Sequence, residues 1–156
     1  MRKITIKIDG KNIECAENKS ILQVAQENGI YIPSLCNHPD LQVKANCRMC
    51  VVKIKGRNGL FTSCSTLVED GMEVITEDKE IRRSRKTNLE LIFGEHHLDC
   101  DDCVWNSRCE MLRYQKPVRA KITRFSNRKD KRPTKQFGPI IFEGKKCIDC
   151  RNCVEV

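Results

Sequence analysis

Three groups of side chains in this chain have types and spacings suited to metal chemistry. Cys36, Cys47, Cys50 and Cys64 form the pattern C-x10-C-x2-C-x13-C. His96, Cys100, Cys103 and Cys109 form H-x3-C-x2-C-x5-C, and Cys147, Cys150 and Cys153 form C-x2-C-x2-C. Thiolates and imidazoles are the donors that hold zinc and iron–sulfur clusters. Of the eleven cysteines only Cys15 stands outside these groups. It lies in a stretch that reads as a strand and is expected to have no ligand role.

Disulfides are the competing explanation for so many cysteines. The count is odd, and the N-terminus MRKITIKIDGKNIEC has neither the apolar stretch nor the small-residue cleavage site of a secretory signal. A reducing, cytoplasmic setting is therefore expected, where clustered cysteines bind metal rather than pair with one another.

In the first group, two ligands two residues apart can grip a metal from one tight turn, and Cys36 and Cys64 arrive from neighbouring segments. Structural zinc sites usually pair one C-x2-C with a second, or with H-x3-H. A lone C-x2-C tilts the choice toward a [2Fe–2S] cluster and leaves zinc open. The loop 36–50 is long enough to wrap a cluster, with backbone N–H groups aimed at the sulfurs and small residues, Ala45 and Asn46, allowing close approach. In the second group, one imidazole and three thiolates on one loop can hold a [4Fe–4S] cluster or a zinc ion. Trp105 reads as a shield against water there, and Asp99, Asp101 and Asp102 crowd the site with charge that opposes reduction. The third group has three of the four ligands a cubane cluster needs.

The elements that must position these groups can be read from periodicity. KITIKIDG alternates Ile4, Ile6 and Ile8 with polar residues, Asp9-Gly10 is a hairpin turn, and KNIEC returns as a second strand. Ser20 and Gln23 form a capping box for a short helix with Ile21, Leu22 and Ala25 inward, stopped by Gly29. CVVKIKG (50–56) is a strand followed by the turn Arg57-Asn58-Gly59, and MEVIT (72–76) is a last short strand. Asp78 caps a second helix whose inner face is Ile81, Arg85, Leu89 and Ile92, with the Arg85 stem as its weak point and Gly94 as its stop. Beyond Gly94 the chain reads as mostly loop, broken by cysteines. The class is α+β.

Charge narrows the function. Residues 1–80 carry eleven basic and eleven acidic side chains, so the net charge of +8 lies in the second half. Most of it is in 113–135, with ten basic residues and one acid, Asp130. That stretch reads as a connecting segment or a basic docking face. Nucleic acid is not the expected partner, because only Tyr114 and Phe125 could stack on bases and no zinc-finger or RRM pattern occurs. The alternative kept open is a zinc-stabilised nucleic-acid-binding or regulatory protein. No run of 18 apolar residues is present, so no membrane span is expected. Neither G-x-G-x-x-G nor a P-loop occurs, which leaves nucleotide binding to a partner.

IPSLCNHPDLQVKANCRMCVVKIKG, followed by FTSCSTLVEDGMEV, resembles the domain that opens a family of redox subunits. The family comprises the large iron–sulfur subunit of respiratory NADH dehydrogenase, the iron-only hydrogenases, the small diaphorase subunit of NAD-reducing hydrogenases and NAD-linked formate dehydrogenases. The resemblance covers essentially the whole chain. It implies a β-grasp [2Fe–2S] ferredoxin domain at 1–77, with Cys36, Cys47, Cys50 and Cys64 as ligands. It implies a helix and a [4Fe–4S] loop at 78–112, with His96, Cys100, Cys103 and Cys109 as ligands and His97 a neighbour only. A basic connecting segment at 113–136 and the start of a bacterial-type ferredoxin domain at 137–156 would follow. There the fourth cysteine of the run is expected at position 157, so that Cys147, Cys150 and Cys153 belong to a further, incomplete cluster. The neutral imidazole in the second group should raise that cluster's potential over an all-cysteine version. By the same resemblance the chain is an electron-transfer subunit or module of an NAD(P)(H)-linked oxidoreductase. It would be part of a hetero-oligomer, between a flavin- and NAD-binding subunit and another redox subunit, with no complete catalytic centre of its own.

Overall fold

The computed structural model describes residues 2–96, 99–125 and 133–155. The expectation for His97, and part of that for the basic segment (126–132), lie outside the described residues.

Strands β1 (Lys3–Ile8) and β2 (Lys11–Ala16) pair antiparallel across a two-residue turn. Asp9 and Gly10 both have positive φ, 48° and 85°, the type I′ geometry whose twist matches the flanking strands. Ile4, Ile6 and Ile8 point to one face and are buried, each worth about 1.5–3 kcal/mol of apolar burial. Helix α1 (Ile21–Glu27) lies on that face, with both halves of the Ser20/Gln23 capping box formed. Strands β3 (Val51–Ile54), β4 (Phe61–Thr62) and β5 (Glu73–Ile75) complete a five-stranded sheet in the order β2-β1-β5-β3-β4. β5 runs parallel to β1 and antiparallel to β3. β4 is two residues long, too short to show as a periodicity, and was not expected.

Helix α2 (Lys79–Glu95) starts at Asp78, whose carboxylate accepts the Ile81 N–H at 2.7 Å. Its buried face is Ile81, Arg85, Leu89, Glu90, Phe93 and Gly94, whereas Ile92 is only partly buried. Gly94 does not stop the helix. A Cβ there would come within 2.7 Å of Phe125 Cβ and 3.2 Å of the Phe125 carbonyl oxygen, so its place is set by close packing. The remainder is not simply loop. Helix α3 (Glu110–Val118) packs on α2, and β6 (Thr134–Phe137) and β7 (Ile140–Glu143) form a separate hairpin. α3 and β6 cross the boundaries drawn at 112/113 and 136/137. Cys15, in β2, sits in the apolar core under the sheet. A second apolar core joins Met49, Leu89, Phe93, Met111, Tyr114 and Ala120. Among the described residues no helix is long and apolar enough to cross a membrane.

Candidate metal centres

The loop that leads from α1 into β3 and the turn after β4 bring the first four cysteines together as two pairs. The Cys50 and Cys64 sulfurs are hydrogen-bonded to each other at 3.4 Å, as are the Cys36 and Cys47 thiols. Cys36, Cys50 and Cys64 are almost wholly buried, and Cys47 is half-buried. In each pair one thiol stabilises its partner as the anion. Cys36 is pulled down to about 5 by the bond from Cys47, and Cys50 to about 6 by that from Cys64, while Cys47 and Cys64 are pushed up. Backbone N–H groups of Asn46 and Cys47 face the Cys36 sulfur, and those of Leu35 and Met49 face Cys47. Ala45 and Arg48 have φ of 50° and 54°, left-handed conformations that turn these N–H groups inward as an anion-binding nest does.

Helix α2 holds this loop from beneath. Arg85 is 4% exposed; its Nε donates to Met49 O at 3.0 Å and its Nη2 to Val51 O at 2.8 Å and Thr76 O at 3.0 Å. Its Nη1 reaches Glu77 Oε2 at 3.0 Å, and burial pulls the guanidinium below its ordinary value. Asn88 Nδ2 donates to Arg48 O at 3.0 Å. From α3, the Tyr114 hydroxyl contacts Ser34, donating to its carbonyl at 3.3 Å. Arg85 was expected as a weak point in the helix face; it is instead the clamp on both sides of Cys50. An arginine in register with Ile81 and Leu89 was the available signal, since only polar partners make such a position tolerable.

The second group lies between α2 and α3. His96 caps the C-terminus of α2, its N–H bonded to the carbonyls of Ile92 and Phe93. Cys100 and Cys103 share a turn closed by Cys103 N–H to Cys100 O at 3.2 Å, and Cys109 sits at the N-cap of α3. All three cysteines are half-buried. Burial, then Cys109 and Cys103, push Cys100 up. Trp105 is 64% exposed and does not act as a shield; the apolar packing around Cys109 comes from the second core. Cys147 and Cys150 are half-buried and Cys153 exposed. That segment docks on the first loop, where Asn46 Nδ2 donates to Asp149 O at 2.5 Å. A cavity of about 230 Å³ between them is lined by Asn46, Cys47, Asn88, Ile92 and Cys147, among others.

The first donor set fits a two-iron cluster. Four thiols in two pairs offer two ligands to each of two irons, and inward N–H groups suit the charge of sulfide. A family model described as a 2Fe-2S iron-sulfur cluster binding domain matches residues 1–79. The chain belongs to that family. The gamma subunit of NAD-reducing hydrogenase HoxS from Cupriavidus necator is 34% identical over 153 residues, covering 97% of this chain and 64% of that subunit. The mitochondrial NADH-ubiquinone oxidoreductase 78 kDa subunit of Candida albicans is 30% identical, over 99% of this chain and 22% of the subunit. A chain in a crystal structure of NAD+-reducing [NiFe]-hydrogenase in the H2-reduced state superposes with a TM-score of 0.88 at 27% identity, over 97% of this chain and 64% of that one. This iron–sulfur protein thus spans less than two thirds of the length of the relatives it matches. The family expected from the residues around the first cysteine group, and the α+β class, both stand.

Proposed function

We propose that the chain is an electron-transfer module of a multi-subunit NAD(P)(H)-linked oxidoreductase. Cys36, Cys47, Cys50 and Cys64 hold a [2Fe–2S] cluster within a domain at 1–77. His96, Cys100, Cys103 and Cys109 hold a [4Fe–4S] cluster within 78–112. Cys147, Cys150 and Cys153 contribute to a further [4Fe–4S] site at 137–156, joined by the basic segment 113–136. An iron–sulfur cluster supplies one-electron uptake and release. The chain's own residues space the centres, keep water from the first of them through the buried loop and the second apolar core, and orient the thiols. The module relays single electrons in the cytoplasm between a flavin- and NAD-binding subunit and another redox subunit, and contains no complete catalytic centre.

The observation that carries this reading is the pairing of four thiols, three of them buried, between a wrapped loop and the turn after β4 in a chain of this family. The relatives' printed names, an NAD-reducing hydrogenase subunit and an NADH-ubiquinone oxidoreductase subunit, support the setting. Protein prepared without oxygen should contain iron and acid-labile sulfide and give two reduced EPR signals. His96→Ala should remove or alter the [4Fe–4S] signal and leave the [2Fe–2S] signal intact. Zinc without sulfide would sink the reading, and an unchanged spectrum in the variant would remove His96 from the ligands.

A further inference from the structure

We propose that the Ser63 hydroxyl donates a hydrogen bond to the sulfur wall of the first metal centre beside Cys50, and thereby raises the potential at which that centre accepts its electron. The inference rests on the reading of Cys36, Cys47, Cys50 and Cys64 as ligands. Ser63 is 0% exposed, and its Oγ makes no hydrogen bond of ordinary geometry among the described residues, but its hydroxyl faces Cys50 and favours that thiol's anion. Its neighbours differ. The Thr62 and Ser65 hydroxyls bond each other at 2.5 Å, and Thr66 Oγ1 donates to Thr62 O at 2.9 Å. In this turn Ser63 alone turns a fully buried hydroxyl toward a cysteine sulfur rather than toward an oxygen acceptor.

Register places the hydroxyl. β3 and β4 pair Val51 with Thr62 and Val52 with Phe61, so the next opposed pair is Cys50 with Ser63. The Ser63 N–H donates to Cys50 O at 3.1 Å, which fixes that pairing. Directly opposed residues of antiparallel strands project to the same face, with Cβ atoms about 4.5–5.5 Å apart. The Ser63 carbonyl is held on its other side by the Leu22 N–H at 2.9 Å, so the backbone cannot swing the side chain away. The hydroxyl therefore stands beside the Cys50 sulfur, itself paired with Cys64. A donor to sulfur is strengthened when the centre gains negative charge on reduction, and this raises its potential.

The test uses the full chain with its centres assembled, titrated redox-wise and followed by EPR. Ser63→Ala should shift the midpoint of the [2Fe–2S] signal to lower potential and leave the [4Fe–4S] midpoint in place. An unchanged or raised [2Fe–2S] midpoint overturns the proposal. Ser63→Thr and Ser63→Val provide a second comparison between side chains of one shape, with and without the donor. A lower midpoint for the valine variant supports the assignment, and equal midpoints overturn it. A wild-type protein with no two-iron signal would instead defeat the ligand reading itself, and with it the proposal.

Discussion

The first and second cysteine groups solve the same problem with opposite amounts of protein. The first lies in a wrapped loop whose carbonyls are pinned by Arg85 and Asn88, whose N–H groups face inward, and whose thiols are already paired. The second lies in a connection between two helices, held by a few short-range turns, with every cysteine half-buried and Trp105 turned to solvent. A preorganised site pays its ordering cost on folding, whereas a loosely held one pays it when metal arrives. The first centre should therefore depend on the fold, and the second should depend on its metal.

The largest consequence is a difference in survival. Holoprotein exposed to an iron chelator in air should lose the [4Fe–4S] EPR signal completely while the [2Fe–2S] signal persists, because local opening of an exposed connection costs little and that of a buried loop approaches global unfolding. The helical circular dichroism of α2 should change only slightly in the same period. Simultaneous loss of both signals would break the comparison.

Arg85→Met probes the other side. The substitution keeps the apolar stem and strands the carbonyls of Met49, Val51 and Thr76, all in buried residues. Stranding three buried acceptors should cost about 3 kcal/mol in denaturant unfolding. It should also broaden or remove the [2Fe–2S] signal, while the [4Fe–4S] signal proposed for the second group persists. Arg85→Lys, with one donor group in place of a fork, should fall between. Equal damage to both signals would mean that α2 supports the two centres alike.

The legibility of the sequence followed the same division. The alternating isoleucines, the Asp9-Gly10 turn, the Ser20/Gln23 box and the Asp78 cap are local signals, and each appears as expected. That Cys36, Cys47, Cys50 and Cys64 would lie near one another was legible because their spacing is written along the chain, and the structure pairs Cys36 with Cys47 and Cys50 with Cys64. What failed depended on contacts distant in sequence. Gly94 looked like a helix stop until Phe125 came to lie against it. Trp105 looked like a shield, but its exposure depends on how the loop between α2 and α3 packs. Arg85 looked like a flaw because its acceptors are 8 to 36 residues away. Glu90, fully buried, was not singled out at all; it accepts from the Lys121 N–H at 2.9 Å and from Arg124 at 2.6 Å, and so closes the α2–α3 hairpin that carries the second group.

The smallest effect sharpens the comparison at the point where the two halves join. Asp78 starts α2, the one element that clamps the first loop and leads into the second. Its carboxylate accepts the Ile81 N–H and meets Lys53 Nζ at 2.6 Å, and these hold its pKa below the ordinary 3.8. A depressed carboxylate contributes stability that is present above its unfolded pKa and lost as pH falls through the folded one. Asp78→Ala should therefore cost about 1 kcal/mol in urea unfolding near neutral pH, the usual worth of an N-cap. Asp78→Asn keeps the cap acceptor and gives up the charge facing Lys53, so it should cost less. The gap between wild type and Asp78→Ala should stay constant down to about pH 5 and close only below the ordinary carboxylate value. The [2Fe–2S] signal should be insensitive to either variant, since Arg85 sits two turns further along α2, past the fraying end. A [2Fe–2S] signal that weakens in Asp78→Ala would mean that the clamp is transmitted from the helix start and not built at Arg85 itself.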